Sequence, residues 1–495
     1  MQTGGANSFA GAISELTLST RAFVNRASFN ASLNGSSPKG NLVKSTVNGK
    51  YYGLASGGGS GNFGTIYEFD PILDTIINKH NFSPSNKGKT PTGTLVKAPN
   101  GKLYGITEKG GTSGNGTIFE VDPVTHNVVK KINFDESNGK TPAGGLTLAT
   151  NGKLYGVTTE GGASNRGILY EYNITTNIVT KLKDFAPLGS NPRSALMQAS
   201  NGKLYGVTNA GGARGHGMLY SYDITLDSLV RHDDFDRNKT GGYSYSKLMQ
   251  ATSGKLYGTT VTGGASNNKG TVFEFDITHD SIRVFDDFSD SNGASPYGGL
   301  IQTANGNIYG MTIGGNVRGI GAKSGVIYQL DLIADTIKPL VTFIGSTNGF
   351  GGFGELLEAS NGKMYLTSRN SAGGNSEGIL NRFDPVTHSL VALKRLPGET
   401  YGSLIELVSP NNASINENEL AQKLSVYPNP TNSILNLDTK GEKIESVRVF
   451  TISGQLITVE LNADNTMDVS NLKNGLYIIQ VKTNNGVALS RFIKQ

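Results

Sequence analysis

NGKLYG, residues 100–105, decides the fold of this chain, because close copies of it recur along most of the sequence. The copies are NGKYYG (48–53), NGKLYG (151–156 and 201–206), SGKLYG (253–258), NGNIYG (305–310) and NGKMYL (361–366). Their tyrosines are spaced about 50 residues apart, and a fixed period of this length predicts a repeat architecture.

The composition favours an all-β protein with many tight turns. The 495 residues include 67 Gly, 20 Tyr and 20 Phe, and only 17% are charged. The net charge of +5 is not gathered into a basic block, so nucleic-acid binding has little support. The chain has no cysteine, which excludes disulfides and thiolate chemistry. No apolar run is long enough to span a bilayer.

One repeat, residues 143–193, divides into four predicted strands. Strand A is AGGLTLAT, strand B is KLYGVTT, strand C is ILYEYN and strand D is IVTKLKDF. The Asn151-Gly152 turn between A and B is typical of a two-residue hairpin. Four antiparallel strands per period of about 40–50 residues predict one blade of a β-propeller. Seven B strands therefore predict seven blades.

Two surplus segments lie at the ends of the repeat region. An eighth strand A is predicted at 403–408 (SLIELV), and a segment like strand D precedes the first A at 21–29 (RAFVNRASF). We expect these pieces to close the ring by pairing the two ends of the chain. The sequence does not indicate which blade they complete.

Ligand contacts are expected at the end of the propeller that carries the B–C and D–A loops, because these loops vary most. The predicted contacts are four aromatic and three polar side chains. They are Tyr243, Tyr245, Phe350 and Phe353, with Arg166, His216 and Arg318. Loop variation without any ligand remains the alternative. A second polar series, two residues after the strand-A leucine, is expected to line a solvated central channel. Its members are Lys44, Lys97, Leu148, Gln198, Gln250, Gln302, Glu358 and Glu406.

Catalytic and metal motifs are mostly absent. The six histidines lack ligand spacing, and no nucleophile elbow or phosphate loop occurs. No catalytic residue, metal site or cofactor is therefore predicted. Asp or Asn in each C–D turn predicts an Asx-turn. Four tripeptides there, beginning at Asp74, Asp227, Asp280 and Asp335, are similar to the O-glycosylation site of Bacteroidota, but they also fit the turn without a sugar.

The repeat consensus, LxxAxNGKLYGxTxxGGxxxxGxxFExD, resembles the bacterial β-strand repeats named after Gloeobacter and Verrucomicrobia proteins. The match covers about residues 30–408 and is loosely similar to kelch blades, whose first strand is innermost. The resemblance implies a fold and little about activity.

The C-terminal segment resembles the type IX secretion sorting domain of Bacteroidota. The residues that carry this resemblance are Tyr427, Pro428, Asn429, Pro430, Gly454, Gly475, Tyr477, Arg491 and Lys494. The resemblance implies contact with the type IX machinery, passage across the outer membrane, and anchoring or release after cleavage in the linker. Residues 1–14 lack a basic n-region and an apolar h-region, so an exported protein would be the mature form with an added Met1.

The predicted organisation is an N-terminal extension (1–20), a seven-bladed propeller (21–409), a linker (410–423) and a small immunoglobulin-like sorting sandwich (424–495). The expected role is non-catalytic binding of a glycan or surface protein outside the cell. A propeller lyase or glycosidase, or a structural component of a surface layer, is the alternative. A cluster of titratable groups with perturbed pKa at the loop end would favour the enzyme.

Overall fold

The computed structural model describes residues 10–85, 87–186, 188–265, 268–315, 325–352, 354–368, 378–396, 404–406, 424–439, 441–451, 456–483 and 486–495. The chain divides into two compact units, Met1–Ile405 and Glu406–Gln495. All regular structure in the described residues is β, and none of them forms a helix able to cross a bilayer.

Seven four-stranded antiparallel sheets, in chain order, are found among the described residues of the first unit. Sheet 1 contains β3 (Ser36–Lys44), β4 (Tyr51–Gly57), β5 (Thr65–Asp70) and β6 (Thr75–Asn81). Sheet 2 contains β7 (Lys89–Lys97), β8 (Leu103–Lys109), β9 (Thr117–Val121) and β10 (Val128–Asn133). Sheet 3 contains β11 (Lys140–Leu148), β12 (Leu154–Glu160), β13 (Ile168–Asn173) and β14 (Ile178–Asp184).

The other four sheets begin with a short first strand. Sheet 4 contains β16 (Met197–Gln198), β17 (Leu204–Thr208), β19 (Met218–Asp223) and β20 (Ser228–Asp234), beside a small pair formed by β15 (Gly189–Ser190) and β18 (Ala210–Gly211). Sheet 5 contains β21 (Met249–Gln250), β22 (Leu256–Thr260), β23 (Thr271–Asp276) and β24 (Ser281–Asp287). Sheet 6 contains β25 (Ile301–Gln302), β26 (Ile308–Met311), β27 (Val326–Asp331) and β28 (Thr336–Thr342). Sheet 7 contains β29 (Leu357–Glu358), β30 (Met364–Ser368), β31 (Gly378–Asp384) and β32 (Ser389–Leu396).

The glycine of LYG is required because an aromatic ring of strand C lies over it. A Cβ on Gly156 would stand 2.3 Å from the hydroxyl oxygen of Tyr170, and the glycines of sheets 1, 2, 4, 5 and 6 meet their strand-C rings in the same way. Sheet 7 has neither this glycine nor this aromatic ring. Leu366 replaces the glycine, and Asn381, opposite it in the register, replaces the aromatic residue. The departure of the seventh repeat is therefore a compensated pair of changes.

Neighbouring sheets pack face to face in chain order, and each interface has its own apolar cluster. The cluster between sheets 2 and 3 joins Tyr104 and Phe134 to Tyr170 and Tyr172. The phenylalanine that follows strand D contacts the strand-C aromatic of the next sheet edge to face, as Phe134 does with Tyr170 at 5.0 Å between ring centroids. Because both faces of an inner sheet are covered, strands B and C are buried along nearly their whole length.

The N-terminus adds a hairpin that reproduces the outer half of a sheet. Strands β1 (Ala12–Leu16) and β2 (Phe23–Ser28) pair with a register shift after Ile13, and β13 and β14 shift at the equivalent place. Phe29 donates its N–H to the carbonyl of Gly11, as the corresponding phenylalanines do elsewhere, and its ring meets Tyr67 at 4.7 Å. The segment like strand D at 21–29 thus has a strand-C partner. That partner, β1, lies within residues 1–20, which were predicted to form an N-terminal extension.

The second unit contains two antiparallel sheets around one core. The three-stranded sheet comprises β33 (Ser425–Tyr427), β34 (Ile434–Asp438) and β37 (Thr466–Asp468). The four-stranded sheet comprises β35 (Ile444–Thr451), β36 (Leu456–Ile457), β38 (Gly475–Thr483) and β39 (Gly486–Lys494). Leu435, Val449, Ile479 and Phe492 are fully or almost fully buried between them.

Candidate functional site

The first unit has two ends with different chemistry. Because the strands alternate in direction, the A–B and C–D turns share one end, here called the turn end. The B–C loops and the D–A segments share the other, here called the loop end. Each end carries a repeated set of polar contacts.

The residues of NGKLYG form a buried polar network at the turn end. In sheet 2 the Asn100 amide donates to the Tyr104 hydroxyl at 2.9 Å, and that hydroxyl donates to Glu120 at 2.6 Å. Lys102 and Lys131 pair with the same carboxylate at 2.8 and 3.2 Å. Sheets 1, 3 and 5 repeat the tyrosine and lysine contacts around Glu68, Glu171 and Glu274.

In sheet 2 these contacts keep the Glu120 carboxylate ionised. Burial alone would raise the pKa of Glu120, but hydrogen bonds from Lys102 and Tyr104 and the ion pair with Lys131 outweigh burial and leave its pKa below the usual value. The pKa of Tyr104 is raised, chiefly by burial and then by its bond to Glu120. A carboxylate with these partners is charged at neutral pH and joins strands B, C and D of its sheet.

The C–D turns have the predicted Asx geometry. The Asp122 side chain accepts the N–H groups of Val124 at 2.8 Å and Thr125 at 3.2 Å, which confirms the turn prediction. Equivalent bonds are made by Asp70, Asn173, Asp223, Asp276, Asp331 and Asp384.

The first aspartate of each tripeptide that is similar to a glycosylation site forms an ion pair, or with His232 a hydrogen bond, with the preceding sheet or hairpin. The four pairs are Arg26–Asp74, Lys183–Asp227, His232–Asp280 and Arg283–Asp335. Each of these aspartates also has a positive φ, between 46° and 54°. Interface pairing and turn geometry therefore account for the aspartates without a glycan.

The glutamines expected to line a solvated channel form hydrogen bonds that join neighbouring sheets. The Gln250 side chain accepts the Ser200 N–H at 2.8 Å and donates to the Ser200 hydroxyl at 2.9 Å. It also donates to the carbonyl of Gly254 at 2.8 Å. Gln198 and Gln302 make the same contacts, and Glu358 accepts the N–H of Ala304 at 2.9 Å. Strand A thus joins successive sheets, and the A strands of sheets 1 to 3 contact one another more extensively than neighbouring D strands do, as expected of an inner strand.

The B–C loops at the loop end are held by the last residue of strand D. Asp184 accepts the N–H of Ala163 at 3.0 Å, and Asn133 accepts that of Thr112 at 3.0 Å. Gly162 in this loop tolerates no side chain, because its Cβ would stand 2.1 Å from the Asp184 carboxylate. This scaffold leaves the residues that follow the Gly-Gly pair free to vary.

Two of the predicted ligand contacts meet between sheets 4 and 5. His216, in a B–C loop, and Tyr243, in the following D–A segment, approach edge to face at 5.9 Å. The Tyr243 N–H also donates to the His216 carbonyl at 3.2 Å. Within the described residues, the buried Nδ1 of His216 has no hydrogen-bond partner. His216 directly follows a loop whose residues Gly211, Gly212, Ala213 and Gly215 line one wall of a groove.

The groove runs between the loops of sheets 3 and 4 and encloses about 800 Å³. Arg166, Arg193 and Glu160 are exposed in its lining. The groove is polar and open to solvent, so it offers hydrogen-bonding and charged groups to a ligand.

The remaining predicted contacts are dispersed. Tyr245 is 39% exposed and stacks on Tyr297, which the sequence interpretation had not selected. Phe350 packs on Gly345 of its own loop. Arg318 and Phe353 lie outside the described residues. An aromatic residue three positions before the strand-A leucine was the available signal for Tyr297.

The sorting residues at the two ends of the second unit come together. Asn429 accepts the N–H of Ile493 and donates to the carbonyl of Arg491, both at 2.9 Å. Tyr427 is 52% exposed, and Pro428 and Pro430 are also exposed. The segment 427–430 is therefore exposed and is joined to the last strand through Asn429.

Tyr477 has a structural role in the same unit. Its ring stacks on Phe492 at 5.4 Å, and its hydroxyl donates to the carbonyl of Lys473 at 2.7 Å. Gly475 begins β38 opposite Lys494. Gly454 lies outside the described residues.

Among the described residues, no group of three or more His, Cys, Asp or Glu side chains is arranged to hold a metal ion. The turn-end carboxylates that have a lowered pKa bind lysine and tyrosine side chains, so their geometry indicates structural ion pairs.

Several solved structures show low similarity to this chain. A fungal alcohol oxidase of the AA5 family in complex with copper is 14% identical (83% of this chain, 100% of that chain, TM-score 0.40). An oligogalacturonate lyase from Vibrio parahaemolyticus is 10% identical (73% and 95%, TM-score 0.45). PorZ, a surface component of the type IX secretion system of Porphyromonas gingivalis, is 13% identical (92% and 75%, TM-score 0.34). Similarity at this level carries no argument about activity. No curated protein matches the sequence.

Two family models match the chain. The Gloeobacter/Verrucomicrobia repeat matches residues 1–200 and 191–414, and the secretion system C-terminal sorting domain matches residues 425–495. The sorting domain implies interaction with the type IX secretion machinery and export to the cell surface or extracellular space. The chain therefore belongs to the Gloeobacter/Verrucomicrobia repeat family and ends in a type IX sorting domain.

Proposed function

We propose that this exported protein binds a glycan or a surface protein through its loop end and does not convert its ligand. The observation that carries the proposal is the meeting of His216 and Tyr243 beside the groove of Arg166 and Arg193. Variable side chains from neighbouring sheets converge there on a scaffold of fixed loop glycines. Contacts from several sheets would add, as in multivalent recognition.

The proposal includes a closed propeller of seven complete blades and one further, incomplete sector. The seven sheets pack in sequence, and the β1–β2 hairpin supplies strands C and D of a further sector against sheet 1. On its other side, the Lys394 ammonium of sheet 7 lies 5.8 Å from the centre of the Phe23 ring. The hairpin thus contacts both the first and the last sheet. For the second unit we propose an immunoglobulin-like sandwich, which two sheets around one core support.

The distribution of titratable groups supports binding without conversion. Glu68, Glu120 and Glu274 are carboxylates with lowered pKa, and each lies in a tyrosine–lysine network at the turn end. Strand pairing explains their perturbation, so it does not mark a catalytic centre.

Hydrolysis or lyase cleavage of a polysaccharide is the second candidate, because one loop-end carboxyl group has the opposite shift. Burial raises the pKa of Asp233, and the charge of Asp234 adds to this effect, whereas the hydrogen bond from the Asp234 N–H and the charges of Arg214 and Arg231 oppose it. A carboxyl group with a raised pKa is suited to general acid catalysis. A structural role in a surface layer is the third alternative, and it would appear as self-association.

The test is binding of the purified full chain to an array of glycans and to outer-surface protein extracts, with substrate depletion followed on every hit. The variants are His216→Ala and Tyr243→Ala. Ile333→Ala is the matched control, because Ile333 is 98% exposed in a turn-end loop. We expect saturable binding that both loop-end variants weaken and the control does not.

If the protein converts a ligand and Asp233→Asn abolishes that conversion, the enzyme hypothesis replaces the binding proposal. Concentration-dependent self-association without any ligand would favour the structural role. Binding that is equally strong in all three variants would refute the assignment to the loop end.

A further inference from the structure

A repeated backbone contact brings two variable positions together at the loop end of each sheet boundary from sheet 1 to sheet 6. The carbonyl of a B–C loop residue accepts the N–H of a D–A residue of the next sheet, whose φ is 53–57°. The five contacts are Phe63–Thr90, Asn115–Thr141, Arg166–Asn191, His216–Tyr243 and Lys269–Ser295. The second variable position comes two residues after the left-handed residue, and its members are Thr92, Ala143, Arg193, Tyr245 and Tyr297. Among these five described boundaries, the one between sheets 3 and 4 therefore places two arginines at the paired positions.

Asn191 contacts both of these arginines. Its N–H donates to the carbonyl of Arg166 at 3.1 Å, and its side-chain oxygen accepts the Nε–H of Arg193 at 3.1 Å. Asparagine is one of the few residues that adopt a left-handed φ at little cost, so this position suits the turn. The bond fixes one edge of the Arg193 guanidinium group, and the terminal nitrogens of that group have no partner in the described part of the chain.

The two arginines supply the positive charge of the groove between sheets 3 and 4. Both are exposed in its lining and neither forms an ion pair with another described residue. Glu160 is the third charged residue of the lining, so the net charge of the lining is 2 − 1 = +1. The charges next to these residues are already paired, as Lys140–Glu136 at 2.8 Å and Arg214–Asp236. Two unpaired cations repel each other, and a bound anion relieves that repulsion.

The rest of the lining is polar or small. It consists of hydroxyl and amide side chains on one side and a glycine-rich wall on the other, namely Thr159, Asn165, Ser190 and Asn191 with Gly211, Gly212, Ala213 and Gly215. This lining contains no aromatic or large aliphatic side chain. Protein partners bind mainly through buried aromatic and other large anchors, for which such a groove offers no pocket. A ligand rich in hydroxyl groups matches the lining better.

We propose that Arg166 and Arg193 bind an anionic substituent, a carboxylate or a sulfate ester, of a glycan chain that lies in this groove. The inference rests on the proposed loop-end binding function and gives it a ligand class. Guanidinium groups donate paired N–H bonds to the oxygens of such anions, and they stay charged at all physiological pH values. The hydroxyl and amide groups of the lining, with the Glu160 carboxylate, bind the hydroxyl groups of the sugar.

The test is calorimetric titration of the purified full chain with β-1,4-linked hexamers of glucose, of glucuronic acid and of glucose 6-sulfate. At low ionic strength we expect at least one anionic hexamer to bind about tenfold more tightly than the glucose hexamer. The tighter of the two anionic hexamers distinguishes carboxylate from sulfate. The preference should shrink between about 0.01 M and about 0.15 M salt, because the screening length falls from about 30 Å to about 8 Å. A glutamate hexapeptide is the probe for an acidic peptide.

Variants separate the groove from the general charge of the loop end. Arg166→Gln and Arg193→Gln should each weaken binding of the anionic hexamer about tenfold and affect the glucose hexamer much less. Arg214→Gln is the matched control, because it removes the same charge from a neighbouring residue that pairs with Asp236 and is not part of the groove lining. Glu160→Gln should strengthen binding of the anionic hexamer, since it removes a like charge from the groove.

Asn191→Gly tests the positioning of Arg193. Glycine keeps the left-handed backbone and removes only the side chain that accepts the Arg193 Nε–H. We expect weaker binding of the anionic hexamer in the wild-type background and no further loss in the Arg193→Gln background. A loss that persists without Arg193 would contradict the positioning role. Circular dichroism identifies any variant that fails to fold.

Equal affinity for all three hexamers, or equal effects of Arg193→Gln and Arg214→Gln, would overturn the inference. Tighter binding of the glutamate hexapeptide than of both anionic hexamers would overturn the glycan assignment. If His216→Ala weakens binding of another ligand while the arginine variants do not, the loop-end function stands and this inference fails. If no ligand is sensitive to any loop-end variant, both fail.

Discussion

Gly156→Ala tests the packing that makes the LYG glycine necessary. The added Cβ would stand 2.3 Å from the Tyr170 hydroxyl oxygen and 2.5 Å from its Cζ, whereas ordinary contacts begin at 3.4 Å. The shortfall is 3.4 − 2.3 = 1.1 Å. Tyr170 cannot withdraw freely, because it is fully buried and packs on Phe134 at 5.0 Å. Overpacking of a rigid core costs about 1–3 kcal/mol, and we expect a value near the upper end.

The matched control is Gly152→Ala in the A–B turn of the same sheet. Gly152 has φ +78° and no atom within 4 Å of its notional Cβ, so only left-handed backbone strain of about 1 kcal/mol is expected. The double variant Gly156→Ala/Tyr170→Ala should cost less than the sum of its single variants, because removal of the ring removes the clash.

Equilibrium denaturation of the full chain, followed by near-ultraviolet circular dichroism of the tyrosines, measures these differences. The reasoning is refuted if Gly156→Ala destabilises no more than Gly152→Ala, or if the effects of Gly156→Ala and Tyr170→Ala are simply additive.

Three further predictions follow from the polar contacts. The pKa of Glu120 is lowered in the folded protein, so its stabilising contribution is present above about pH 4.5 and is lost on further acidification. The variant Glu120→Gln should therefore flatten the fall of the melting temperature between pH 5 and pH 3. Gln250→Ala should cost about 1–2 kcal/mol and accelerate hydrogen exchange of the Ser200 amide, as measured by NMR or mass spectrometry. Asn429→Ala removes both bonds to the last strand, so it should destabilise the sorting unit by about 1–2 kcal/mol and reduce surface delivery, as measured by fractionation and immunoblotting. Unchanged exchange at Ser200, or normal delivery of the Asn429 variant, would contradict the respective arguments.

The four-strand repeat was predictable because its determinants are local. Alternation, the Asn-Gly turn and the turn aspartates act within a few residues, so each copy repeats the same signal. The paired change of Leu366 and Asn381 was visible as a departure, but its compensation needed the register that places them opposite each other.

The β1–β2 hairpin was only half predictable. Ser14 replaces the aromatic residue of strand C, so the sequence of β1 no longer resembles its counterparts. The register shift and the contact between Phe29 and Tyr67 identify β1 as a strand C. Both become visible only when the strands are paired in the structure.

The sequence by itself determined the all-β class, the period, the strand order within each repeat and the family of both units. Only the tertiary structure showed that Gln250 joins two sheets, that His216 meets Tyr243, and that Tyr245 stacks on Tyr297. The physical reason is the separation along the chain between the residues that interact. A repeat of about 50 residues encodes the hydrogen bonds within its own sheet, whereas contacts between sheets join residues about one period apart and depend on how closely two finished sheets approach.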